Sequence, residues 1–138
     1  MKYIVLFLIL CGSILPASAT DFQCRVEGGV YKPQGESILH DVGQLDKSLV
    51  GEIFFVTRET GVVVGNNLLG NEGEQITILR NIDEVLNSFE VMSMNAHSDV
   101  KVLDIFEFKD KLTFKYYFGY PGLLVIGPCI EIKRVSVD

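Results

Sequence analysis

The chain has 138 residues, with 12 Lys and Arg against 18 Asp and Glu, a formal charge of −6. Nucleic acid and anionic membranes are held by clustered Lys and Arg, and the densest basic stretch, Lys109-Asp110-Lys111, has an acid at its centre. Neither partner is expected.

The N-terminus runs Met1-Lys2-Tyr3, an apolar segment from Ile4 to Leu15, then Pro16-Ala17-Ser18-Ala19. This succession is that of a secretory signal peptide, with cleavage expected after Ala19. Its apolar segment, about a dozen residues, is shorter than the ~20 that a membrane-spanning helix requires, so no membrane insertion is expected after cleavage. Residues 20–138 then make a single β domain with 11 basic and 18 acidic side chains, a charge of −7. Its two cysteines are Cys24 and Cys129. An even count in an oxidising compartment favours a disulfide, and the expected location is periplasmic or secreted.

Short apolar runs alternate with turn residues along this domain, the pattern of an all-β protein. A first strand is expected over 22–27, with Phe22, Cys24 and Val26 on one face. Residues 31–51 are irregular, with a short helical piece around 37–42. Segments 52–57 and 62–65 frame a hairpin whose three-residue loop is Glu59-Thr60-Gly61, with glycine where a left-handed conformation is needed. Both faces of this hairpin are apolar, which predicts a central position. Residues 66–74 read as a long exposed loop, 75–79 as a strand, and 81–87 as a helical turn or loop. Residues 88–94 alternate Phe89, Val91 and Ser93 against Glu90, Met92 and Met94.

The next two strands, 100–108 and 112–118, carry matched apolar sets. Val100, Val102, Phe106 and Phe108 share one parity, as do Leu112, Phe114, Tyr116 and Phe118. Both sets face one core if Lys109-Asp110-Lys111 is a three-residue loop, and Asp104 then interrupts the apolar face. Segments 123–126 and 129–135 end the chain, with a kink expected at Gly127-Pro128. About eight strands result, in an antiparallel meander. A disulfide holds its Cα atoms about 5–6 Å apart, so the first and last strands must meet. A closed or nearly closed barrel follows, with a two-sheet β-sandwich as the alternative.

Catalytic signals are sparse. His40 and His97 lie in no nucleophile–base arrangement, and there is no Gly-x-Ser-x-Gly elbow. Asn66, Asn67, Asn71, Glu72 and Glu74 lack calcium-loop spacing, and no catalytic residue, metal or cofactor is expected. Asp104 is the one acid singled out, because a carboxyl on an apolar face has a shifted pKa. Tyr117 and Tyr120, with an apolar body and a polar tip, are candidate surface-binding residues together with Asn66, Asn67 and Asn71. The function expected is a non-enzymatic exported binding or interaction module, its partner an envelope or extracellular protein or a small ligand. The alternative is a small extracytoplasmic hydrolase using carboxylates.

Phe22-x-Cys24, Gly51-x-x-Phe54-x-Val56-x-Arg58-x-Thr60-Gly61-x-x-x-Gly65, Asn87-Ser88-Phe89 and Gly127-x-Cys129 resemble the pattern of small uncharacterised exported proteins of Gram-negative bacteria. The resemblance spans most of the mature chain. It implies the signal peptide, the disulfide and the periplasmic or secreted address, and carries across no activity and no site residue.

Overall fold

The computed structural model describes residues 20–81 and 88–133. The expected signal peptide, nearly all of the 81–87 segment and the end of the last strand lie outside the described residues. The elements are β1 (Thr20–Arg25), β2 (Gly28–Tyr31), β3 (His40–Asp41), α1 (Val42–Leu45), β4 (Ile53–Val56), β5 (Val63–Val64), β6 (Gln75–Arg80), β7 (Ser88–Met94), β8 (Val100–Phe108), β9 (Lys111–Phe118) and β10 (Leu123–Lys133). The helix starts later than expected, at Val42, and is capped by Asp41, whose carboxylate accepts from the Gly43 N–H.

Eight strands lie side by side in the order β5-β4-β1-β10-β9-β8-β7-β6, with β2 attached to β10 and β3 to β2. All pairings are antiparallel, and the sheet curls into a half-barrel. First and last strands are neighbours, as the cysteines required. Cys24 pairs directly with Cys129. Their Cα atoms are 4.1 Å apart and they are bonded across 105 residues of sequence.

β10 is the spine of the curl. Residues 123–126 pair with β2 and residues 129–133 with β1, while β9 runs along the other edge as far as Pro128 opposite Thr113. Between Cys24↔Cys129 and Gly28↔Ile126, the three residues 25–27 oppose only the two residues 127–128, a one-residue excess of the kind that a β-bulge introduces and that bends a sheet. Gly127 sits at the bend because a Cβ there would collide with the Arg25 carbonyl and come within 3.0 Å of the Phe114 ring. Pro128 next to it has no N–H to offer a further ladder partner.

The inner surface holds Phe22, Phe54, Phe89, Phe114, Tyr116 and Phe118, all essentially inaccessible to water. Phe54 packs edge-on to Phe114 at 4.9 Å and Phe22 lies 5.6 Å from Phe89. Contacts of this kind add about 0.5–1.5 kcal/mol each beyond the area they bury. β5 and β6 share no ladder among the described residues, and local contacts bridge the seam between them. Gly61 abuts Val91, Ile76 and Ile78, and Arg58 donates from Nε to Asn81 Oδ1 at 2.8 Å.

Two hairpins differ in phase from the sequence expectation. In the first, Thr57 N–H donates to Val62 O and Val56 pairs with Val63, so the loop has four residues rather than three. Val63 therefore joins Phe54 and Val56 in the core, while Ile53, Phe55 and Val64 face out. The hairpin is also not central, because β5 is a sheet edge.

In the second, Phe108 pairs with Lys111, leaving the two-residue turn Lys109-Asp110 with both φ values positive, 51° and 60°. Turns with two left-handed central residues match strand twist. The core side of β8 is consequently Leu103 and Ile105, and Phe106 and Phe108 lie outside. Asp104 is the physical reason, since a three-residue loop would have turned it inward opposite Tyr116.

Because the Cys24–Cys129 bridge closes nearly the whole domain, the Cys24→Ala/Cys129→Ala variant is expected to lose roughly 2–5 kcal/mol of stability. Urea unfolding of the two proteins measures this, and an unchanged midpoint would contradict the bridge.

Candidate functional site

The register of β8 and β9 builds a groove on the outer face of the sheet. Alternation places Phe106 and Phe108 of β8 beside Thr113 and Lys111 of β9, and Pro128 and Ile126 of β10 lie across from Thr113 and Lys115. Gly127 at the bend and the buried Phe114 behind it also line this surface. The groove encloses about 670 Å³, with Glu27 and Gly28 completing its wall. Phe108 is 56% exposed and Ile126 44% exposed. Its volume falls within the range of small-ligand sites, which are mostly apolar with a few placed polar groups.

Lysines rim the aromatic floor. Lys115 Nζ lies 5.2 Å from the centre of the Phe106 ring, and Lys109 Nζ the same distance from that of Phe108. Ammonium groups are attracted to the ring faces, which holds the stems down as apolar walls. Among the described residues neither Lys111 nor Lys115 has a carboxylate within ion-pair distance.

Asp104 stands next to this groove rather than in it. It lies in an outward row with Glu90 on one side and Lys115 on the other, and Glu90 is itself bonded to Arg80 at 3.1 Å. Partial burial, and then the negative charge of Glu90, push the Asp104 carboxyl above its ordinary range. It does not interrupt the core face, as expected from sequence, because the core face is the other one.

The remaining sequence candidates separate. Tyr117 is outward and 48% exposed, between Val102 and Leu124. Tyr120 is 67% exposed and, with Pro121 and residues 32–37, lines a second groove of about 780 Å³. The two tyrosines are therefore on the surface but in different places. Asn67 is exposed. Asn66 accepts from the Leu68 and Leu69 N–H groups and holds its own loop. Asn71 is buried, contrary to its expected place on a solvated loop. It accepts from Val63 N–H at 2.7 Å and donates to Gly61 O at 3.1 Å, so its amide finishes the edge of β5.

The same loop is clamped to the inner face by Tyr116, which donates to Leu69 O at 2.9 Å. Burial, and then the charge of Glu74, push that phenol upward. Lys101 adds bonds to Gly70 O and Glu74 Oε1, both 2.7 Å. His40 Nε2 donates to Glu36 Oε2 at 2.7 Å, and its Nδ1 lies 3.3 Å from the accepting Gln44 Oε1. The hydrogen bond with Glu36 raises its pKa. Among the described residues no three His, Cys, Asp or Glu side chains are grouped to hold a metal ion.

The groove is hidden in the sequence because Phe106 and Phe108 alternate as a core face would. The signal that could have found it is Asp104 itself, whose charge marks its parity as the outer one.

A carboxyl with a raised folded-state pKa stabilises the fold most below its ordinary value and loses that contribution as the pH climbs through the raised one. The Asp104→Asn variant should match the wild type at acid pH and become progressively the more stable of the two as the pH rises beyond the carboxylate range. Thermal melts from pH 3 to 7 test this, and a gap that closes with rising pH would refute the assignment. No protein-family model matches the chain, and neither a curated protein nor a solved structure matches it.

Proposed function

We propose that the chain is an exported, non-enzymatic binding module that engages an envelope or extracellular protein, or a small apolar ligand, through the outer groove of β8, β9 and β10. The observation that carries this reading is the outward placement of Phe106, Phe108 and Ile126 around a concave surface. Large aromatics held against water on a rigid sheet gain free energy when a ligand covers them. The Cys24–Cys129 bridge is consistent with an oxidising, extracytoplasmic compartment. The N-terminal signal pattern and the resemblance to small exported proteins of Gram-negative bacteria support a periplasmic or secreted address.

A hydrolase using carboxylates is the second reading, favoured by the raised pKa of Asp104 beside Glu90. The geometry supports binding better, since neither acid lines either of the two grooves.

The test is a photoreactive benzoyl-phenylalanine placed at position 108 of the full chain, illuminated in the native envelope and read by intact mass. A discrete adduct is expected from position 108 and none from position 131, which is exposed on another part of the surface. Absence of any adduct at 108 would overturn the proposal.

A further inference from the structure

We infer that the groove takes a long-chain carboxylate, its acyl chain lying on Phe106, Thr113 and Ile126 and its head group paired with Lys111. This rests on the binding reading and names the ligand class.

Three features single out such a molecule. First, the groove floor is sheet whose backbone is already engaged. Phe106 pairs with Thr113, Thr113 with Pro128, and Lys115 with Ile126. An extended peptide binds a sheet by main-chain hydrogen bonds at an open edge, and β9 is paired on both sides over residues 113–115, where the acyl chain would lie. An alkyl chain asks for no hydrogen bond.

Second, the charge is local and of the right sign. The protein as a whole is acidic, at −6, yet two lysines line the groove against one acid, Glu27. Lys115 leans over Phe106 and has Asp104 as its register neighbour. Lys111 has no such neighbour across the strand, where it faces Phe108, so it is the better head-group partner. A cationic amphiphile would bring its charge against both ammonium groups.

Third, the length fits. Lys111 and Lys115 are four residues apart on one strand, about 13–14 Å along the groove at the usual rise, which suits a chain of about twelve carbons.

The experiment titrates the purified, oxidised protein with laurate, hexanoate and dodecyltrimethylammonium below their micellar concentrations, followed by amide chemical shifts. Laurate should shift the amides of Phe106, Lys111, Thr113 and Ile126 saturably. Each buried methylene contributes roughly fourfold in affinity, so hexanoate should bind at least a hundredfold more weakly. Lys111→Glu should weaken laurate tenfold or more while leaving the thermal melt unchanged. Failure of laurate to saturate, or equal affinity for the cationic amphiphile, would overturn the assignment. If laurate fails while position 108 still captures an adduct, the ligand class falls alone. If both fail, the binding reading falls with it.

Discussion

Side chains alternate along a strand, so the length of a tight turn decides which half of a hairpin meets the core. The Lys109-Asp110 turn is where this molecule makes that decision. Two left-handed residues that carry a Cβ cost of order 1–2 kcal/mol each. The competing three-residue loop would have turned the Asp104 carboxylate inward, and an ionised group buried without a partner costs several kcal/mol. The strained turn is the cheaper choice. It places Leu103 and Ile105 against Tyr116 and Phe114, and by the same step sets Phe106 and Phe108 on the outside. Core and groove are two faces of one register.

The second constraint acts on β10. A strand that serves both halves of the curl must bend, and Gly127-Pro128 lets it do so where β1 gives way to β2. The disulfide sits one residue beyond that bend, tying β1 to β10 where the sheet changes direction. The bend also shapes the groove, because Gly127, which has no side chain, lines it beside the buried Phe114. Stability and site thus share residues, and a substitution at Gly127 would disturb both.

Much of the architecture was legible in the residues. Phe22, Cys24 and Val26 read as one face and are buried together, as are Phe89, Val91 and Ser93. The cysteine positions implied that the first strand meets the last, and it does. What failed was phase, at the two places where both faces of a hairpin are apolar. Periodicity then carries no sign, and the turn must supply it. Lys-Asp is a weak signal for a turn that usually displays Asn-Gly or Asp-Gly, and Gly61 fits a four-residue loop as well as a three-residue one. Asn71 was misplaced for another reason. A polar residue in a polar loop looks solvated, and only tertiary structure reveals that its amide completes the edge of β5.

The outer aromatics are what the domain offers to the rest of its environment, and their presence outside depends wholly on the register of β8 against β9. Cross-strand nuclear Overhauser contacts measure that register directly in solution. The account predicts contacts pairing Asp104 with Lys115 and Phe106 with Thr113. Contacts pairing Phe106 with Phe114 and Phe108 with Leu112 would return the aromatics to the core and contradict it.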